Sequence, residues 1–305
     1  MAKAKLKPLN FKVTRTQRNV FKISCLAGNY PKGFEQWFLL TSDRHWDNPH
    51  SNWELQKEHL DEAVQRGAGI LDVGDFLCLM QGRADPRSSK ADLRPEHQVD
   101  NYIDTVISTA ADFFAPYSKH FISIARGNHE SKILKHLEVD VIERLCSVLN
   151  DRTGSSIYNG GYAGFVRFVL NEKKTGRNLG KSLVLHYSHG TGMGGGGTTR
   201  GIGTTAKKAQ YLPDANIVIS GHIHESWRID LARQRLSTQN KTYIDEQTHV
   251  LIPTYKEEFG DGSVGWHSER GAPPKPIGAY WLRIYVPRVF KGDNKHLLYQ
   301  IIRAK

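Results

Sequence analysis

Apolar positions along the chain fall into short runs, several of which stop at a polar residue. Residues 37–42 (WFLLTS) read as a buried strand that delivers Asp43 at its end. From 52 to 66, Leu55, His59 with Leu60, and Ala63 with Val64 recur at helical spacing, and Gly67 supplies a stop. A second run, 68–73, leads into Gly74-Asp75, so the first seventy-odd residues contain a βαβ unit. Residues 81–95 are polar, rich in breakers and aperiodic, which predicts a surface insertion ahead of a helix over about 97–114. A third run, 120–125, precedes Arg126-Gly127-Asn128-His129-Glu130. Beyond it, Ile133, Leu137, Val141 and Leu145 predict one helix over 131–149 packed on the sheet.

After Asn150 the pattern turns β-rich. Residues 164–170 and 182–187 flank a polar turn and predict a hairpin whose second strand ends at Ser188-His189-Gly190. Eight of the fourteen residues from 190 to 203 are glycine, a composition that predicts a loop. A short helix at about 204–211 and an apolar run, 215–220, lead to Gly221-His222-Ile223-His224, and further strands are expected near 226–232, 241–252, 278–287 and 296–303. The expected organisation is a basic N-terminal arm or edge strand over 1–34, then a single domain over 35–305. That domain carries an insertion near 81–95 and a C-terminal β-rich extension.

Composition places few further limits. At 305 residues, with 39% hydrophobic and 24% charged content, the chain can bury a sizeable core. No apolar stretch is long enough to span a bilayer and no apolar signal core follows the first lysines, so no membrane partner and a cytoplasmic location are expected. Cys25, Cys78 and Cys146 are scattered and odd in number, which excludes a disulfide framework and a CxxC zinc site. The net charge of +11 is concentrated: residues 1–34 hold eight Lys or Arg and no acid, leaving +3 for the rest. Such a segment can contact phosphate backbones, or be a solvated tail.

The chemistry lies in how the runs end. Five candidate strands finish within two residues of a possible metal ligand: Asp43 and His45, Asp75, Asn128 and His129, His189, and His222 and His224. In open α/β sheets ligands gather beyond the carboxyl ends of strands, so these groups are expected on one rim. Singly, a D-x-H pair is ordinarily a surface or capping feature and a G-D dipeptide a turn. Five coincidences in order are not.

The ordered set resembles the calcineurin-like metallophosphoesterase superfamily, whose signature runs D-x-H, G-D, G-N-H-[DE], H, G-H-x-H. Here it reads Asp43-Arg44-His45, Gly74-Asp75, Gly127-Asn128-His129-Glu130, His189 and Gly221-His222-Ile223-His224. The resemblance covers about residues 37–230 and implies an α/β fold of two packed mixed β-sheets flanked by helices, an αββα sandwich. It also implies that Asp43, His45 and His224 hold one divalent metal, that Asn128, His189 and His222 hold a second, and that Asp75 bridges them. A metal-bridging hydroxide would then attack phosphorus, with His129 as general acid. A mixed nitrogen and oxygen donor set does not choose among manganese, iron, zinc and nickel. His186 rivals His189 but, three residues back in the strand, points to the other face. Glu130 could orient His129 or favour the N-terminus of its helix, the latter being preferred.

Substrate is less constrained. Arg44 and Arg126 adjoin ligand residues, where each could reach a phosphate or pair elsewhere. The glycine-rich loop could close over the site or carry no catalytic role. Protein phosphatases of this superfamily continue the second motif as G-D-x-V-D-R-G, whereas Asp75 is followed here by Phe76-Leu77-Cys78-Leu79. The expected substrate is therefore a phosphodiester, as in a nuclease or nucleotide phosphodiesterase. The basic N-terminus and Trp46, Trp53 and Trp227 near the motifs favour that, through stacking on bases, although core packing is the first expectation for each tryptophan. The alternatives are a phosphomonoesterase or phosphoprotein phosphatase and, in another class, a non-catalytic binding scaffold.

Overall fold

The computed structural model describes residues 7–28, 33–80, 93–190, 201–257, 273–287 and 297–304. Within them the chain forms two mixed sheets. In the first, β1 (Phe11–Gln17), β2 (Val20–Ala27), β7 (Ala163–Glu172), β8 (Asn178–Ser188), β9 (Ile217–Ser220), β11 (Thr242–Leu251) and β10 (Trp227–Leu236) lie side by side in that order. In the second the order is β13 (Leu298–Ala304), β12 (Ala279–Tyr285), β3 (Glu35–Thr41), β4 (Gly69–Asp72), β5 (Phe121–Ile124) and β6 (Tyr158–Asn159). β3 to β6 run parallel, as do β8, β9 and β11.

Burial explains why the short runs are strands. Phe38 and Leu40 point between the sheets, where they join Phe21, Ile23, Leu71, Ile122, Phe168, Leu185, Ile219 and Leu282 in one apolar layer. The intervening Leu39 and Ile70 face the other way, into a second layer built with helices α1 (Trp53–Arg66), α2 (Tyr102–Phe114) and α4 (Val141–Thr153). A strand covered on both faces needs apolar side chains at every position, which is the pattern read in the sequence. α5 (Ile202–Ala206) and α6 (Lys208–Tyr211) follow the first sheet's β8, and Leu212, Ala215 and Val218 pack with Phe165 on that side. The result is the expected αββα sandwich.

One local expectation changes. The helix predicted over 131–149 is two helices, α3 (Asn128–Leu137) and α4. Glu138 takes a left-handed conformation that closes α3, and the Asp140 carboxylate accepts from the Glu143 N–H to start α4. The apolar spacing runs on across the break because Ile133 and Leu145 join the same layer. Residues 11–27 form a hairpin in the first sheet with β1 as its edge strand, and exposed Lys12 and Lys22 project from it. Most of the 81–95 insertion and of the 190–203 glycine-rich loop lies outside the described residues. No described helix is long and apolar enough to cross a membrane.

Candidate metal centre

The loops that leave β3, β4, β5, β8 and β9 are laced to one another by backbone bonds, which is what brings their polar residues together. Asp43 N–H donates to the Gly74 carbonyl (2.9 Å), His45 N–H to that of Asp75 (3.0 Å), and Gly221 N–H to that of His189 (3.0 Å). Side chains finish the lacing: His129 N–H donates to Asp75 Oδ1 (3.0 Å) and His222 N–H to Asp43 Oδ2 (2.9 Å). These approaches leave no room for side chains at the motif glycines. A Cβ on Gly127 would collide with Asp75, and one on Gly221 with Ser42 and Asp43.

The backbone is strained at the same points. Of the eight non-glycine residues described with positive φ, five are Asp43, His45, Asp75, His222 and His224. Such conformations cost roughly 1–3 kcal/mol each and persist where surroundings impose them, typically at functional sites.

Two clusters of lone-pair donors result. The ligand atoms of Asp43, His45 and His224 lie within 4.8 Å of one another, as do those of Asp75, His189 and His222. Asn128 joins the second cluster, its Oδ1 lying 2.6 Å from His222 Nδ1 and 3.1 Å from His189 Nε2. All seven residues expected to hold metal are thus brought together, with His129 beside them: its Nε2 is 3.9 Å from Asp75 Oδ2 and its ring 5.0 Å from that of His45.

The donor chemistry fits divalent cations. His189 Nδ1–H donates to the Val73 carbonyl (3.2 Å), so in the neutral ring the Nε2 lone pair faces Asn128 Oδ1 and Asp75 Oδ2, both acceptors, at 3.1 Å. That arrangement is repulsive unless a cation or a second ring proton intervenes. Asp43 Oδ1 is buried without a hydrogen bond, facing His224 Nε2 at 3.3 Å and His45 Nε2 at 3.9 Å. Charge follows the same logic. Burial alone would lower His189, but the Asp75 carboxylate outweighs it and raises the ring to about 9. Burial would likewise raise Asp75, and the imidazoles of His189, His129 and His45 instead hold it well below the usual carboxylate range. His45, buried and beside His129, is pushed well below the usual histidine value.

His129 is oriented by a group that sequence reasoning missed. Its Nδ1–H donates to the Cys78 carbonyl (2.5 Å), which leaves Nε2 toward the clusters. Asp47 shapes that turn by accepting from Cys78 N–H (2.5 Å), Leu79 N–H (2.9 Å) and the Tyr102 hydroxyl (3.1 Å). The Cys78 thiol is itself close to His45 and His129. Glu130 does not orient His129. It accepts from Gly127 N–H (2.7 Å) at the start of α3 and from Leu77 N–H (2.9 Å), pinning the His129 and Asp75 loops together.

Arg44 is corrected. Its side chain is fully buried and donates to Asp72 Oδ2 (2.9 Å), Gln56 Oε1 (3.0 Å) and Thr41 Oγ1 (3.1 Å), among the rings of Phe76, Phe114, Phe121 and Tyr255. A neighbour of two candidate ligands in sequence, it points away from them, and the signal available was an aspartate, Asp72, in an apolar run that needed a partner. Arg126 pairs with Asp140 at 3.3 Å. His186 packs against Phe165 with its ring centroid 4.8 Å away, while His189 enters the centre. The tryptophans take the packing role: Trp46 is buried and stacks on Trp53 at 4.9 Å, whose ring is covered by the Arg94 guanidinium at 3.4 Å. Trp227 packs on Ile223 and Leu251.

No protein-family model matches this sequence, and neither does any curated protein. Among solved structures the chain is similar to a conserved uncharacterized protein from Streptococcus pneumoniae TIGR4 described as a predicted phosphoesterase, with 13% identity, 89% of this chain and 99% of that one covered, and a TM-score of 0.30. It is similar to a Thermotoga maritima protein solved by NMR (10% identity, 88% and 99% covered, TM-score 0.33) and to Chaetomium thermophilum Vps29 (10%, 88% and 95%, 0.31). Likenesses this distant carry no weight for the chemistry of this chain. The resemblance to calcineurin-like metallophosphoesterases rests on its ordered motifs and on the convergence of their residues into two clusters compatible with divalent metal binding.

Proposed function

We propose that this chain is a dinuclear-metal-dependent phosphoester hydrolase whose substrate is a phosphodiester. The observation that supports the reading is the pair of donor clusters, one of which contains Asp75 while its backbone carbonyl accepts from His45 N–H of the other, with His129 Nε2 3.9 Å from the Asp75 carboxylate. Asp43, His45 and His224 would hold one cation, Asn128, His189 and His222 the other, and Asp75 both. Two divalent cations so placed polarise a phosphoryl group and make hydroxide available at neutral pH.

The chain's own residues supply the rest. The Val73 carbonyl fixes the His189 tautomer, and the Asp75 and Asp43 carboxylates receive backbone N–H groups that hold them in place before substrate arrives. His129, held by the Cys78 carbonyl, carries a proton on Nε2 toward the leaving-group oxygen when the ring is charged.

Preference for a diester rests on charge. Arg44 and Arg126 are engaged with Asp72 and Asp140, and the positions that hold Asp and Arg in the protein phosphatases are here Cys78 and Leu79, both buried. A fully ionised monoester brings one more negative charge than a diester, with these arginines unavailable to meet it. Base stacking no longer contributes to the argument, because Trp46 and Trp53 stack on each other. The test is a substrate panel with manganese: a bis-aryl phosphodiester, an aryl monoester, single- and double-stranded DNA, and RNA. A diester should be hydrolysed fastest. Hydrolysis of the monoester alone would sink the diester assignment, and no hydrolysis by a metal-loaded protein would sink the enzyme assignment.

A further inference from the structure

The outer face of the first sheet carries a buried polar group that the metal centre does not use. Along β8, β9 and β11, Leu185, Tyr187, Ile217, Ile219 and Val250 point between the sheets. Their neighbours His186, Ser188, Val218, Ser220 and His249 therefore point outward. Register sets these in two rows, with His186, Val218 and His249 side by side, and Ser188 beside Ser220 one step nearer the strand ends. Val218 packs on Leu212 and Ala215, the segment that follows α6, so α6 lies over this face. From α6, Lys208 reaches the sheet, and its Nζ donates to Ser188 Oγ at 3.1 Å.

What the group lacks is acceptors. The Lys208 ammonium, with 8% of the residue exposed, has three N–H groups, one hydrogen-bond partner and, among the described residues, no carboxylate beside it. Burial pushes it down to about 8, which leaves it charged at neutral pH. Ser188 accepts from Lys208 and keeps its own hydroxyl proton to give, and Ser220 Oγ is buried without a hydrogen bond. Gln247 Nε2 donates to the Leu212 and Ala215 carbonyls, both at 2.8 Å, so its Oε1 accepts from His249 Nε2–H at 2.8 Å. His249 Nδ1 is thereby left with a buried, unused lone pair, and His186 Nδ1 is buried and unpaired as well. Both rings are pushed down to about 4, by burial and then by the Lys208 charge, and are neutral. A buried cation with no counter-charge is costly. An ammonium and two hydroxyl protons, with an imidazole lone pair alongside, complement an oxyanion that itself carries a proton.

We propose that Lys208, Ser188 and Ser220 form an oxyanion site for inorganic phosphate beneath α6, with His249 Nδ1 accepting the proton of the monohydrogen form. Burial of all four residues restricts the ligand to a small free ion. The site is separate from the two donor clusters and stands whether or not the phosphoester reading does.

The test is calorimetric titration of the full chain with inorganic phosphate, with a chelator present so that no metal in the donor clusters holds the ion. The wild type should bind phosphate and melt at a higher temperature in its presence. Lys208→Met, which keeps the aliphatic stem, should weaken binding by about tenfold or more, and Ser220→Ala by about three- to tenfold. Without phosphate both variants should melt no lower than wild type, since neither removes a satisfied contact of the sheet. Sulfate, which has no proton to give His249, should bind several-fold more weakly than phosphate. The proposal is overturned if the wild type binds no phosphate at millimolar concentration, or if Lys208→Met and Ser220→Ala both stay within about twofold of it. Sulfate binding as tightly as phosphate would overturn the part given to His249.

Discussion

Replacing Arg44 by Met separates a structural arginine from a substrate-binding one. The guanidinium is fully buried, and the substitution removes three hydrogen bonds to Asp72, Gln56 and Thr41 while roughly keeping the volume between Phe76, Phe114, Phe121 and Tyr255. What remains is the Asp72 carboxylate, supported by Thr41 Oγ1 (2.8 Å) and Gly74 N–H (3.1 Å) but facing no cation. Breaking one side of a buried ion pair costs about 3–5 kcal/mol, chiefly because the abandoned charge stays out of water. Burial already raises Asp72 even beside Arg44, and without the arginine the folded state would hold that proton more tightly still. A carboxyl whose pKa is raised by folding binds more protons folded than unfolded, so the penalty should grow as pH rises from about 4 toward 8. Urea unfolding of wild type, Arg44→Met and the double variant Arg44→Met/Asp72→Asn at pH 5 and 8 measures this. The single variant should lose the most at pH 8, and the double variant should recover part of it. A single variant within about 0.5 kcal/mol of wild type that instead loses catalytic efficiency would refute the reasoning and return Arg44 to the substrate.

Three further outcomes follow from named contacts. Gly221→Ala would force Ser42 and Asp43 apart, so it should lose metal affinity well beyond the roughly 1 kcal/mol typical of a substitution, read by calorimetric titration with manganese. His129→Ala should keep both metals and lower kcat by about 10²–10⁴, the loss shrinking for an activated aryl leaving group that needs no proton; equal losses on both leaving groups would exclude the acid role. His59 and His249, both buried, are lowered to about 4, by burial first and then by Arg44 and by Lys208 respectively. Protons therefore bind the unfolded chain first, and stability should fall as pH drops from about 6.5 toward 4, by roughly 1–2 kcal/mol per histidine at pH 5; His59→Gln should flatten the slope in urea titrations.

The convergence of the two donor clusters was legible because their side chains fall just after apolar runs, and parallel strands bring their carboxyl ends to one rim whatever the loops between them do. Sequence adjacency does not say where a side chain points. Arg44 stands between two candidate ligands and leaves in the opposite direction, to satisfy Asp72. Trp46 and Trp53, near the motifs in sequence, find each other and Arg94. Periodicity carried the helix past residue 138 because both halves feed the same apolar layer, although Asp140 before Val141-Ile142-Glu143 is a capping pattern that marks a second start. The strained backbone at Asp43, His45, Asp75, His222 and His224 has no counterpart in a pattern of residue types. Neither does the Cys78 carbonyl that fixes His129, since every residue has a carbonyl and only the fold selects one.

The central claim is that Asp75 joins two cation sites. Crystals of the manganese-loaded protein, measured for anomalous scattering, test it directly. The account predicts two peaks roughly 3.5–4 Å apart, one among Asp43, His45 and His224 and the other among Asn128, His189 and His222, with Asp75 between them and both weakened in Asp75→Asn. A single peak, or two that Asp75 does not join, would contradict it.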